Sequence, residues 1–331
     1  MSKRLDLALA AELRSRLPAD IFRPARTRLL WLGVHLPVIF AGLFLLTRGL
    51  PLWANLALSL PIGLAFAGLA FVGHEALHGA LCRRAWTRRL VGSIGFWPFA
   101  VSPRLWVAWH NRVHHGSANE PGTDPDALST RADYDTSRSA RVSSDLQRWT
   151  RGVFTLLVGF SGQSAHVLLV AKSRGYLNER HYRRAVLATL TALVPWALVL
   201  VLLGPKVFLF GYVLPLLVGN VLVMMHIVTN HALRPLVQTN DPLDHSLSVT
   251  VPRWFGYYTL DFGYHVEHHM FPAMSNRHAP LVRDELLRLA PERYRSMPLP
   301  RALLAVCRAP RVYESHDTLV DPRTGARLVV S

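Results

Sequence analysis

Cysteine is nearly absent: Cys82 and Cys307 are the only two in 331 residues. That excludes a disulfide scaffold, a four-cysteine zinc site and a thiolate-bound iron–sulfur cluster. Charge is also sparse, at 18% of residues against 50% hydrophobic, which excludes a disordered chain. No C-x-x-C and no H-P-G-G haem signature occurs, so the sequence carries neither a rubredoxin-like nor a cytochrome b5-like module. Lysine is limited to three residues beside many Arg and Ala, a composition that hints at a GC-rich bacterial source. No cleavable leader is expected, because the polar N-terminus has no apolar core before Leu29. The net charge of +16 at first suggests nucleic acid, but no basic-aromatic interleaving or nucleic-acid module accompanies it.

What the chain does have is long uncharged runs. Four of them, about 29–47, 52–73, 185–203 and 207–225, have the length a bilayer core demands. Arg48-Gly-Leu-Pro51 and Gly204-Pro-Lys206 join them pairwise, so two helical hairpins are expected. Of the 37 Lys and Arg, all but Arg48 and Lys206 then fall on one side, which the positive-inside rule makes the cytoplasm. A fifth run, 152–171, carries Ser161, Gly162, Gln163, Ser164 and His166 at its middle. If it spanned, the basic residues would no longer segregate, so it reads as interfacial or re-entrant, as does 90–101. The fold expected is all-α and integral to the membrane: four spanning helices in two hairpins, with a cytoplasmic helical cap. A cytoplasmic segment, 1–28, precedes this membrane domain (29–290). A polar tail, 291–331, follows it, and Pro280–Leu289 reads as a short amphipathic helix packing under the His265–His269 segment.

Sixteen histidines are present, and ten concentrate at the cytoplasmic ends of the spans. His74 and His78 form H-E-A-L-H; His110, His114 and His115 form H-N-R-V-H-H; His265, His268 and His269 form H-V-E-H-H. His226 and His231 close the fourth span. Residues i and i+4 share a helix face, so His74/His78 and His110/His114 can each aim two imidazoles at one centre. Adjacent histidines diverge by about 100° and can serve two neighbouring metals. Neutral imidazole suits iron, copper, zinc and nickel, and eight or more ligands exceed one ion, so two metals are the natural count. His35, His166, His181 and His316 stand alone and read as structural. Glu75, Asp124, Asn230, Asp261 and Glu267 are candidates for a second shell that fixes the imidazole tautomers, along with Asn111, Asp126, Asp241 and Asp244.

These three boxes, interleaved with two hairpins, resemble the membrane fatty acid desaturase/hydroxylase superfamily over roughly residues 30–290. The runs T-N-H-A-L-R-P (229–235) and F-G-Y-H-V-E-H-H-M-F-P (262–272) are similar to bacterial acyl desaturases. The resemblance implies a di-iron centre held by His74, His78, His110, His114, His115, His265, His268 and His269. His231 matches the place of the extra ligand, and His226 is a weaker match. No catalytic side chain separate from the ligands is implied. The implied activity is an O2-dependent desaturase acting on an acyl-lipid or acyl-CoA chain. Hydroxylation or ketolation of a lipid, carotenoid or alkane is the alternative, since the same site supports both. With no redox module in the chain, a separate donor is implied, a ferredoxin or cytochrome b5-like protein, expected to dock on a basic face that includes Arg83, Arg84, Arg88 and Arg89.

Two other readings stand beside this one. H-E-A-L-H also fits the H-E-x-x-H zinc protease motif with Glu75 as general base, which leaves the second and third boxes unused. A metal transporter would place ionisable groups near the midplane, where these spans hold only His35, Asn55 and Asn220.

Overall fold

The computed structural model describes residues 7–146 and 148–330. Residues 1–6 of the expected N-terminal segment therefore lie outside the described residues. The fold is mostly helical, and four helical stretches are long and apolar enough to cross a membrane: Arg26–Leu46, Leu52–His78, Thr150–Val170 and Glu179–His231. The protein is a membrane protein on this ground.

The last stretch is two helices rather than one. Trp196 and Tyr212 stack with ring centroids 4.3 Å apart, whereas sixteen residues of straight helix would separate them by about 24 Å. The reversal occurs at Gly204, whose φ of 87° a side chain would resist. The two hairpins are thus α1 (Leu32–Leu46) with α2 (Leu52–His78), and α5 (Glu179–Leu198) with α6 (Leu214–His231). Their links meet at one end, where Lys206 Nζ donates to the Leu50 carbonyl at 3.2 Å. Both α2 and α6 run from there toward the histidine boxes. Prolines within α1, α2 and α5 (Pro37, Pro61, Pro195) each withdraw a backbone donor, which such spans tolerate where neighbouring helices cover the freed carbonyl.

Helix α2 ends at Gly79 in the left-handed conformation, with its amide bonded to the Ala76 carbonyl. The chain then folds back as α3 (Ala85–Phe96), antiparallel to α2. The two helices nearly touch: a Cβ on Gly95 would lie 2.5 Å from the Gly73 Cα. Such contact between small residues substitutes for a hydrophobic drive that lipid cannot supply. Past Trp97–Phe99 the chain climbs again through a π-helix, Val107–His114, that carries the second box.

Helix α4 (Arg148–Val170) covers the region of residues 152–171. It packs on α6, with the Ser161 amide donating to Asn220 Oδ1 at 2.9 Å and Asn220 Nδ2 donating to Ser161 Oγ at 3.0 Å. These bonds account for Ser161, and Gln163 donates to the Pro125 carbonyl and Asp126, while Ser164 Oγ is buried without a partner among the described residues. At its start, Arg151 donates to the carbonyls of Ser144 and Ala309, in the cap. Just past its end, Leu177 lines a cap depression shared with Arg88, Arg104 and Arg112.

The cap holds α7 (His265–Met270), α8 (Ala279–Leu289) and α9 (Leu299–Arg308). Val282 and Leu286 of α8 pack with Val266 and Met270 of the third box, as the amphipathic pattern predicts. Two features depart from an all-helical expectation. A parallel pair joins β1 (Ser248–Thr250) to β2 (Ser296–Pro298). Within the expected 291–331 tail, residues 312–329 form an antiparallel sheet of β3 (Val312–Tyr313), β4 (Thr318–Val320) and β5 (Arg327–Val329). Leu319 and Tyr313 are buried against Leu236, an anchor whose partners are too distant in sequence for a local pattern to reveal.

Candidate metal centre

Nine imidazoles converge at the end of the bundle opposite the two links. They sort into two groups of four with His115 beside them, and the ligand atoms of His110 and His114 also lie within 4.8 Å of each other and of Asp126 where the groups meet. The ligand atoms of His74, His78, His110 and His268 lie within 4.8 Å of one another, and so do those of His114, His231, His265 and His269. His115 joins the first group, its Nε2 standing 3.2 Å from both His110 Nε2 and His268 Nε2. In the second group, His265 Nε2 lies 2.7 Å from His231 Nε2 and 3.1 Å from His269 Nε2. Two nitrogens each ~2.1 Å from one ion at right angles are ~3.0 Å apart, so these spacings are those of cis ligands on a shared metal.

Local helix geometry produces the sorting. His74 and His78 sit one α-turn apart and face the same centre. The second box behaves differently from the i, i+4 expectation: His110 and His114 belong to different groups. The reason is the π-helix, in which residue i+5, not i+4, returns to the same face. His110 therefore pairs with His115, and His114 turns to the other centre. In the third box the adjacent pair divides as expected, His268 to the first centre and His269, with His265, to the second.

Several ring nitrogens are buried with no hydrogen-bond partner among the described residues: both of His74, Nε2 of His78, Nδ1 of His115 and Nδ1 of His265. Buried polar atoms left this way are costly unless something else binds them. Burial, with neighbouring imidazoles adding to it, holds His110, His115, His265 and His269 well below the ordinary histidine range, and pushes His268 down to about 3. Uncharged imidazole is the form that binds a metal. The donor set thus fits two nitrogen-ligated ions.

Tautomers are fixed from behind. His231 Nδ1 lies 2.9 Å from the His245 carbonyl, which only accepts, so Nε2 is left for the metal. His114 Nδ1 faces both oxygens of Asp124, at 3.1 and 3.2 Å. Burial opposes a charge on His114, but Asp124 and then Asp126 outweigh it and hold it up to about 9, so an ion at Nε2 must displace a proton from this one imidazole. Asp126 in turn is pushed up to about 6 by burial and by Asp124 beside it. Asp124 is braced by the Asn119 amide at 2.9 Å, while Asn119 Nδ2 donates to the His231 carbonyl at 3.1 Å. Replacing Asp124 by Asn removes this charge at nearly constant shape. Iron affinity should fall by about 10–100-fold in a chelator competition. An unchanged affinity would show that Asp124 does not orient His114.

Glu75, Asp261, Glu267 and Asn230 are placed differently. Glu75 accepts from Arg28 Nη1 (3.2 Å), Ser275 Oγ (3.2 Å) and the Asn276 amide (2.7 Å). Asp261 pairs with the same Arg28. Glu267 accepts from Ser248 Oγ and Tyr294 Oη, and Ser248 Oγ accepts the amides of His265 and Val266 at the start of α7. These carboxylates lock the boxes together through backbone and cation rather than through imidazole. Asn230 is fully buried, with neither side-chain polar atom partnered among the described residues. A zinc protease reading loses its general base here, since Glu75 is committed to Arg28, the Ser275 hydroxyl and the Asn276 amide.

His226 belongs to neither group. It is buried among Phe71, Phe255 and Phe262, one turn short of the centres. Of the histidines read as structural, His35 stacks on Trp31 over Gly68, and His316 is exposed beside Asp317. His245 was not foreseen. Its ring lies 5.1 Å from that of His269, with Nε2 buried and unpartnered among the described residues. A lone histidine in D-P-L-D-H offers no spacing that would mark it.

One apolar cavity of about 710 Å³ opens onto the centres and is lined by His74, His110, His114, His231 and His265. Trp106 and Phe262 form its wall near the imidazoles. Its size is that of a small-molecule site, roughly 300–1,000 Å³. The sequence model of the fatty acid desaturase family matches residues 51–300, a segment containing all three boxes. A comparison with curated proteins gives no match.

Proposed function

The chain belongs to the fatty acid desaturase family, and from that premise we propose that it is an O2-dependent di-iron enzyme that introduces a double bond into the alkyl chain of a membrane lipid or acyl thioester. The observation that carries this reading is the apolar cavity ending on two groups of imidazoles. An unactivated C–H bond resists every side chain, whereas two iron ions, given O2 and two electrons, supply the needed oxidising power. In this reading His74, His78, His110, His115 and His268 hold one ion and His114, His231, His265 and His269 the other. Asp124 orients His114. Phe71, Trp106 and Phe262 keep water from the reacting carbon and present the tail side-on.

Several further features belong to the proposal. The metal site and both termini face the cytoplasm, as the clustering of basic residues supports. Helix α4 lies along the interface, since both its ends meet the cap; a span would carry them to opposite sides. Segment 90–101 is re-entrant, folded back on α2. The setting is a bacterial inner membrane. A separate electron donor is required, and Arg83, Arg84 and Arg89 offer it an exposed basic face beside the first centre.

Expression in a host of known lipid content, followed by mass spectrometry of its fatty acids, tests the reaction. New double bonds, absent with the His268→Ala variant, are expected. New hydroxyl or keto groups instead would assign the chain to the oxygen-inserting branch.

A further inference from the structure

The cavity that reaches the histidines has a second polar feature, far from them. Arg151 and Arg311 line it as well. Arg151 stands on the first turn of α4 and is held in place by the Ser144 and Ala309 carbonyls. Arg311 follows α9. Its Nε is buried without a hydrogen-bond partner, and it makes no ion pair among the described residues. Burial, with Arg151 adding to it, pushes Arg311 down to about 10, so it remains charged at neutral pH.

Two cations sharing an apolar cavity repel each other, and the buried Arg311 Nε is left without a partner there among the described residues. An oxyanion between them would relieve both penalties through charge-assisted hydrogen bonds. The separation also has meaning. Gln163, on the same helix, bonds Asp126 beside His114, at 3.0 Å from Nε2 to Oδ1. Arg151 lies twelve residues earlier, or ~18 Å along the helix axis. Leu128, Leu146, Phe154 and Val158 line the cavity as well. Val142 and Phe154 are also exposed on the outer surface, at 59% and 60%, which suits entry from lipid. The cavity therefore has an anion-seeking end, an apolar length and an oxidising wall.

We propose that Arg151 and Arg311 clamp the anionic head, a carboxylate or a phosphate, of the lipid whose tail lies against the histidines. The substrate class is thereby narrowed to single-tailed or lipid-borne anions, and carotenoids, alkanes and neutral sterols are disfavoured. This inference rests on the reading of the cavity as the substrate site.

The test is equilibrium binding to the purified, iron-loaded enzyme in an uncharged detergent. Three probes share one tail: a free fatty acid, a lysophosphatidate and a fatty alcohol. At least one anion should bind about tenfold tighter than the alcohol. Arg311→Gln should bring that ratio close to one while alcohol binding stays the same, and Arg311→Lys should retain part of it. Arg311 is the position of choice because Arg151 also supports the backbone. Whichever anion is preferred identifies the head as carboxylate or phosphate. No preference in the unaltered protein, or an undiminished preference in Arg311→Gln, overturns the proposal. Iron per chain, measured on the same samples, separates the two ideas. A protein that discriminates heads but binds no iron refutes the di-iron reading and leaves the clamp standing.

Discussion

The His268→Ala variant is expected to have no turnover and to hold about one iron per chain rather than two. His268 stands with His74, His78 and His110, and its Nε2 is 3.2 Å from that of His115. Its neighbour His269 serves the other group. Alanine at 268 therefore strips one nitrogen from one centre and leaves the second complete. Ligands act as a unit, so the loss of activity should be total rather than proportional. The reciprocal variant, His231→Ala, should empty the opposite centre. His316→Ala and His226→Ala provide the contrast: one is exposed, the other is buried among phenylalanines, and neither should change iron content. Iron quantified by mass spectrometry on folded, monodisperse protein reads all four. Two irons retained in His268→Ala would sink the division of the site.

The second large effect is on stability. Glu75→Ala is expected to cost about 3 kcal/mol of folding stability, the lower end of what breaking a buried ion pair costs. Glu75 is almost wholly buried and joins three parts of the chain: the first box, Arg28 before α1, and Ser275–Asn276 after the third box. Its removal leaves Arg28 with only Asp261 and the Leu260 carbonyl, and leaves the Asn276 amide unpaired. The value sits at the low end because Asp261 still meets the guanidinium. Glu75→Gln keeps an acceptor and should lose only about 1–2 kcal/mol. Thermal or denaturant unfolding measures both. Activity should follow the folded fraction, so Glu75→Gln should stay active. A stable, metal-loaded but dead Glu75→Gln enzyme would instead mark Glu75 as a chemical base and revive the hydrolytic alternative.

Both results turn on a division of labour among the acidic residues that the sequence does not display. Glu75, Asp124, Asp261 and Glu267 look alike beside the boxes, yet only Asp124 meets an imidazole. What separates them is the partner each finds across the fold. Arg28 approaches from before α1, Tyr294 from beyond α8, and Ser248 from the short strand β1. Sequence spacing carries no information about such distant partners.

The sequence by itself determined the membrane helices, their pairing into hairpins and the identity of the histidines that gather. The physical reason is that these features are local. Bilayer thickness fixes the length of an apolar run, a three- or four-residue link forces a reversal, and i, i+4 spacing puts His74 beside His78. The tertiary structure decided what locality cannot reach. It set which imidazole joins which centre, because a π-helix in Val107–His114 carries the repeat from four residues to five. It brought His245 against His269, folded residues 312–329 into a sheet, and placed Arg151 and Arg311 in the cavity that ends on the histidines. Each of these depends on packing between segments tens to hundreds of residues apart, where the energy of contact rather than the period of the chain selects the neighbour.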